Sequence, residues 1–189
     1  MTDQYRQHVN NQREQKEQYF ASSEHSPIPP ESRGEGFPGL AYFEPDPDYQ
    51  FELPLHRHEE VESIRVGTTT EGEREYLRWG EFRFVIDGEQ YTLQAYKSQP
   101  DEPRLWVPFR DETNDEETYG AGRYLDLEEE HHQTADGTWV LDFNFAYNPT
   151  CAYNEAYECP LIPMENWLDV RIEAGEKKYP GEPVTAHDR

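Results

Sequence analysis

Four short segments between residues 109 and 176 hold most of the side chains that can do chemistry. They are F-R-D-E-T at 109–113, E-T-Y-G-A-G-R-Y-L at 117–125, D-F-N-F-A-Y-N-P-T-C-A-Y-N at 142–154 and C-P-L-I-P-M-E-N at 159–166. Polar side chains that converge on an aromatic wall are typical of a small-molecule site. The predicted ligand-binding residues are Tyr119, Arg123, Asn144, Tyr147, Asn148 and Asn154.

The same segments contain candidate catalytic groups. Asp142 or Glu165 can act as a general acid or base if burial raises its pKa, and Cys151 can act as a nucleophile if a base lies beside it. Arg123 would then hold an anionic group of the substrate. A different interpretation is a loop scaffold, because Asn, Asp and Tyr also satisfy buried backbone groups. We expect Arg123, Asp142, Asn144, Asn148 and Glu165 to converge in one concave patch if a site exists.

The glycine and cysteine patterns leave several interpretations open. Gly120–Arg123 can cradle an anion, or can be a turn whose arginine pairs with a carboxylate such as Asp142. Cys151 and Cys159 can form a disulfide, bind zinc, supply a nucleophile or simply pack. Structural zinc needs four ligands, and none of the seven histidines lies between residues 133 and 186. His56 and His58 would share one strand face, a weak metal signal. We therefore predict no metal site, and the sequence leaves the cofactor unknown.

The four segments, in this order, resemble domain-of-unknown-function family 1684. Its pattern also includes F-P-G-L-A-Y-F, found at 37–43, and a final A-G-E, found at 174–176. The resemblance spans about residues 15–179, and Ile162 departs from it where the family has proline. It implies a single domain and no particular activity.

A helix, an extended wrap and a set of strands must position these residues. The polar segment 1–22 predicts a helix capped by Thr2 or Asp3. Proline and glycine predict an irregular wrap over 23–48, and alternating patterns predict a β domain over 49–179, followed by a flexible tail at 180–189. Nine strands are predicted at 49–55, 61–69, 73–79, 81–86, 90–96, 105–109, 123–127, 138–143 and 167–172. The predicted fold is mainly β, a small antiparallel barrel or sandwich.

The charge balance restricts the partners and the solvent. The 189 residues carry 17 basic and 40 acidic side chains, a formal net charge of −23. This excludes a generic nucleic-acid binder and disfavours docking to anionic lipid. No signal peptide or membrane-spanning run is evident, so we expect a cytoplasmic protein. Only four of the 17 basic residues are lysines, a bias that resembles haloarchaeal proteins and predicts adaptation to molar salt.

Three functions remain open from the sequence. The favoured one is a small-molecule-binding β domain. The alternatives are a hydrolase-like enzyme with a carboxylate acid or base, and a structural or interaction domain without a pocket. The chain contains no G-x-S-x-G or H-E-x-x-H signature, which weakens the enzyme hypothesis.

Overall fold

The structure is a computed structural model that describes residues 2–185, and it is mainly β with an N-terminal helix. Residues 2–185 contain seven strands rather than the predicted nine, in two antiparallel sheets that do not close into a barrel. No helix within this range is long and apolar enough to span a bilayer.

The strands divide between a small and a large sheet. The small sheet pairs β1 with β7, and the large sheet has the order β2-β3-β4-β5-β6. The bounds are β1 Gln50–Leu53, β2 His56–Gly67, β3 Glu73–Ile86, β4 Glu89–Lys97, β5 Arg104–Phe109, β6 Arg123–Glu128 and β7 Trp139–Asp142.

Two corrections account for the strand number. The predicted strands 73–79 and 81–86 are one strand, β3, because Gly80 marks a register shift against β4 and does not end the strand. A Cβ on Gly80 would lie 2.9 Å from the carbonyl oxygen of His56, so glycine here lets β2 approach closely. Segment 167–172 forms only one parallel bridge, between Trp167 and Arg110. Its other long-range backbone–backbone bonds also go to residues beyond the end of β5: the Arg110 and Glu112 amides donate to Asn166 and Val170, and the Leu168 amide donates to Arg110.

The N-terminal helix α1 covers Asp3–Ser22, close to its predicted extent. The Thr2 side chain caps it by accepting a hydrogen bond from the Tyr5 backbone nitrogen at 3.2 Å. Its buried apolar residues are Val9 and Phe20, a thin stripe along an otherwise polar helix. A second, four-residue helix that was not predicted, α2, covers Glu129–His132.

The main core contains side chains from both sheets. Phe82, Leu93, Leu105 and Leu141 are among its fully buried members. A second cluster joins α1 to the loop after β7 through Phe20, Ile28, Ala152 and Tyr153. The predicted wrap is irregular apart from three short 3-10 turns. Residues 41–43 of the wrap pair with residues 175–177 through the Tyr42–Glu176 bridge and the Phe43 amide, which donates to Gly175 at 2.9 Å.

A buried asparagine completes the contact between β4 and β5, which otherwise pair only at Tyr96 and Trp106. The Asn166 carboxamide accepts from the Gln94 amide at 2.8 Å and donates to the carbonyls of Gln94 and Pro108 at 3.0 and 2.7 Å. Asn166 is fully buried, so no solvent can replace these bonds.

We expect the substitution Asn166→Ala to lower the free energy of unfolding by about 3 kcal/mol, because it leaves buried backbone groups of both strands unpaired. Urea denaturation measures the change. The matched control is Asn11→Ala, an exposed position on α1, where we expect a change within about 0.5 kcal/mol. Equal effects of the two substitutions would show that Asn166 does not join the strands.

Candidate functional site

A groove runs between α1 and segment 140–147, and we call it the helix groove. It consists of two clefts that share Gln12 and Phe145. The first, of about 650 Å³, lies under the start of α1 and is also lined by Tyr5, His8 and Asp142. The second, of about 320 Å³, lies further along α1. Its lining includes Arg13, Lys16, Tyr42, Asn144, Ala146 and Tyr147. Both volumes are in the range of small-molecule sites.

Helical periodicity explains the roof of the groove. Tyr5, His8, Gln12 and Lys16 are spaced by three or four residues, so they project from one face of α1. Val9 and Phe20 anchor the helix through the neighbouring stripe. The helix therefore presents polar side chains to the groove while its apolar residues hold it in place.

Asp142 and Asn144 build the floor at the end of β7. The Asp142 carboxylate accepts hydrogen bonds from the Tyr5 hydroxyl and from the Asn144 backbone and side-chain nitrogens, the last two at 2.9 and 2.8 Å. The Asn144 carboxamide also bonds to both backbone groups of Asp46. Burial, and then the adjacent Asp142 carboxylate, raise the pKa of Tyr5 well above its usual value, so its hydroxyl stays protonated as a donor.

A fully buried carboxylate, Glu176, lies behind the second cleft. It accepts hydrogen bonds from the Lys16 ammonium at 2.8 Å, from the Asn148 amide at 3.0 Å and from the Tyr153 hydroxyl. Burial and the Glu176 carboxylate raise the pKa of Tyr153 far above its usual value. The charge of Lys16 is thus balanced by Glu176, and the network fastens α1 to the β domain.

Arg13 has a different environment. Its guanidinium donates to the carbonyls of Phe43 and Asn144 at 2.7 and 3.2 Å and lies 4.5 Å from the centre of the Tyr42 ring. Among residues 2–185 it has no carboxylate within ion-pair distance. Its Nε and the Tyr42 hydroxyl are both buried without a hydrogen-bond partner. Burial lowers the pKa of Arg13, and the carboxylates of Glu44 and Asp142, which lie beyond ion-pair distance, offset this effect only in part.

The predicted ligand-binding residues separate into two sets. Asn144 and Tyr147 line the helix groove, and Asn148 lies directly behind it through Glu176. The other three residues lie elsewhere. Arg123 is fully buried and pairs with Asp111, not with Asp142. The Tyr119 hydroxyl contacts the Cys151 sulfur at 3.5 Å, and Asn154 clamps its own loop to Pro27 at 3.1 Å.

The three predicted catalytic residues lie in three different environments. Asp142 lines the helix groove. Glu165 pairs with Arg78 at 3.1 Å and accepts a hydrogen bond from Tyr96 beside a separate cleft. Cys151 is buried next to Cys159. The three residues have different partners, and Asp142 and Glu165 line different clefts, so the geometry does not assemble them into one catalytic site.

Sequence reasoning assigned no site role to several residues of the groove, including Arg13, Lys16 and Tyr42. A signal for two of them exists in the helix. Arg13 and Lys16 flank the stripe of Val9 and Phe20 on α1, where a charged side chain must find a partner inside the protein. Tyr42 is brought to the groove by pairing of the wrap with residues 175–177, which no local pattern reveals.

Comparison with known proteins identifies the family. The model of a family described as "Protein of unknown function (DUF1684)" matches residues 35–177. The chain belongs to the DUF1684 family. An uncharacterized protein of Haloarcula marismortui, solved by solution NMR, is 40% identical with a TM-score of 0.69, covering 93% of this chain and 95% of that one. The comparison with curated proteins found no match.

The DUF1684 match includes the floor of the helix groove and Tyr42, and it begins after α1. The roof of the groove, with Arg13 and Lys16, therefore lies outside the segment that the family model matches. The alignment with the Haloarcula marismortui structure covers most of the chain.

Proposed function

We propose that this domain binds a small organic anion in the helix groove. The observation that carries the proposal is Arg13, a half-buried guanidinium beside the groove. Among the residues that the structure describes it has no carboxylate partner, and its buried Nε has no hydrogen bond. Buried charges in proteins are normally paired, so this environment favours an anionic guest. The Arg13 Nε and the Tyr42 hydroxyl lie beneath the groove surface, and rotation of these side chains is needed for a ligand to reach them.

The rest of the second cleft supports a ligand with an apolar body. Phe145, Ala146 and the Tyr147 ring provide apolar surface, and Gln12 and Asn144 provide polar groups at its margins. The neighbouring acids are already occupied, since Glu176 binds Lys16 and Asp142 binds Tyr5 and Asn144. Arg13 is therefore the cation beside this cleft whose charge is not balanced by a contacting carboxylate. A small carboxylic acid with an aromatic or aliphatic body fits this chemistry.

We also propose that the domain works in a salt-rich cytosol. The acidic excess supports this proposal, because 40 acidic against 17 basic side chains make a compact chain repel itself in dilute buffer. Among residues 2–185 the buried acidic side chains are Asp111, Asp142 and Glu176. The other carboxylates in this range are at least partly exposed to solvent, in keeping with adaptation to the solvent.

Binding is tested with paired probes, namely benzoate, phenylacetate and short aliphatic carboxylates, each beside its uncharged amide. We expect the carboxylates to raise the melting temperature and to bind in calorimetry, while the amides do not. The assays use the lowest KCl concentration at which the protein is fully folded, so that chloride and screening compete least.

The substitution Arg13→Gln is expected to weaken carboxylate binding about 10- to 100-fold, because a charge-assisted hydrogen bond contributes about 1.5–3 kcal/mol. Calorimetric titration measures the affinity of each variant. The control is Arg6→Gln, which removes an exposed arginine of the same helix that pairs with Glu44 outside the groove. If the two variants bind alike, or if no carboxylate binds while the amides do, the proposal is wrong.

A further inference from the structure

Cys151 and Cys159 lie side by side in a buried region separate from the helix groove. Both are free thiols, 4% and 6% exposed. The Cys151 backbone nitrogen donates to the Cys159 sulfur at 3.3 Å. This contact brings the Cys159 sulfur next to the backbone of Cys151, the proximity that an intrachain disulfide needs.

The backbone around the two cysteines is held in place by hydrogen bonds. The Cys159 carbonyl accepts from the Thr69 amide at 3.0 Å, and the Leu161 amide donates to Gly67 at the end of β2 at 2.8 Å. Cys151 lies in a 3-10 turn and touches the Tyr119 hydroxyl. No group of three or more His, Cys, Asp or Glu among the described residues is arranged to hold a metal ion. Two thiols alone fall short of the four ligands of structural zinc.

We propose that Cys151 and Cys159 are a site of reversible oxidation, at which exchange with a low-molecular-weight disulfide makes and breaks an intrachain bond. The Cys159 thiolate attacks one sulfur of the small disulfide, a mixed disulfide forms, and one small thiolate leaves. Cys151 loses its proton and attacks the Cys159 sulfur, which expels the second small thiolate. One disulfide is reduced to two thiols while the two cysteines are oxidised to one disulfide, so atoms and electrons balance.

The local electrostatics give the two cysteines different roles. Hydrogen bonding by Cys151, whose backbone nitrogen lies 3.3 Å from the Cys159 sulfur, lowers the pKa of Cys159 to about 7, so a thiolate forms there near neutral pH. The proximity of Cys159, together with burial, raises the pKa of Cys151 well above its usual value. Cys159 is thus the attacking sulfur and Cys151 the resolving one.

The loop between the cysteines provides the access that two buried sulfurs need. Residues 155–158 are exposed. Local opening of such a loop requires far less free energy than global unfolding. Before the loop, the buried Tyr153 hydroxyl is bonded to Glu176. A disulfide would therefore close a short loop and fix the turn that positions Tyr153.

The test incubates the folded wild-type protein with oxidised glutathione and counts free thiols by alkylation and mass spectrometry. We expect both thiols to disappear, the intact mass to fall by two hydrogen atoms, and peptide mapping to find Cys151 joined to Cys159 within a monomer. Dithiothreitol should restore both thiols. The oxidised protein should melt several degrees higher than the reduced protein.

Two single variants separate the roles. Cys151→Ser should stop at a stable glutathione adduct on Cys159, whereas Cys159→Ser should react many-fold more slowly at Cys151. The proposal is overturned if native thiols remain free while urea-unfolded protein oxidises readily, if the bond forms between chains, or if both variants form adducts at the same rate. Circular dichroism on each variant confirms that the compared proteins are folded.

Discussion

Replacing Arg123 by methionine is expected to lower the free energy of unfolding by about 3–5 kcal/mol, the range found when one partner of a buried ion pair is removed. Arg123 is fully buried, and its guanidinium lies 3.4 Å from the Asp111 carboxylate and 5.0 Å from the centre of the Phe109 ring. Methionine preserves much of the volume and removes the charge. The buried Asp111 carboxylate would then lose its cation.

The Arg123 guanidinium also holds residues 172–176 in place by hydrogen bonds to their backbone. It donates to the carbonyl oxygens of Ile172, Ala174 and Glu176, the first at 2.9 Å and the last at 3.3 Å. Asp111 fixes this segment from the other side by accepting the Ile172 amide at 2.7 Å. Since Glu176 binds Lys16 of α1, Arg123 supports the helix groove from a distance. It is a positioning residue, and no ligand can reach it.

Urea denaturation of Arg123→Met and Arg123→Lys measures the effect. The lysine variant should be intermediate, because it keeps the charge and loses the planar fork that reaches three carbonyls at once. The matched control is Arg83→Met, whose exposed pair with Glu81 should contribute less than about 1 kcal/mol. If the methionine variant were as stable as the control, Arg123 would not be needed to hold residues 172–176 in place.

The second large effect is expected from salt. Raising KCl from dilute buffer to the molar range shortens the Debye length to about 3 Å and screens repulsion among exposed carboxylates. If screening relieves about 5 kcal/mol of repulsion, the melting temperature rises by roughly 10–20 °C for a chain of this size. Differential scanning calorimetry across a KCl series measures it.

A non-ionic osmolyte provides the control for the salt series. Sucrose stabilises folded proteins by exclusion from their surface and does not screen charge. We expect KCl to raise the melting temperature more steeply than sucrose at matched osmolality, with most of the gain at the lower concentrations where screening changes fastest. A melting temperature that does not rise between low and molar KCl would contradict adaptation to salt.

The fold was predictable from sequence where local signals decide it. Thr2 before a run without glycine or proline predicts the start of α1, and Asp87-Gly88 predicts the turn between β3 and β4, where both residues have positive φ angles of 49° and 84°. The number of strands was not predictable in this way. Whether Gly80 ends a strand, and whether segment 167–172 finds a free strand edge, depends on partners distant in the sequence.

The candidate site was only partly predictable for the same reason. The motif at 142–148 was singled out by its residue types, and Asn144 and Tyr147 do line the groove. Residue type alone cannot distinguish Arg123, which pairs with Asp111, from Arg13, which has no carboxylate partner among residues 2–185. That distinction depends on where α1 docks, and docking depends on Val9, Phe20 and the buried Lys16–Glu176 pair.

The most direct test of ligand binding in the helix groove is an amide chemical-shift titration of isotope-labelled protein with phenylacetate, using phenylacetamide as the uncharged control. The proposal predicts saturable shifts for the carboxylate concentrated in two segments, residues 5–16 of α1 and residues 142–147, and their loss in Arg13→Gln but not in Arg6→Gln. Shifts spread over the whole surface, or equal shifts from the amide, would contradict it.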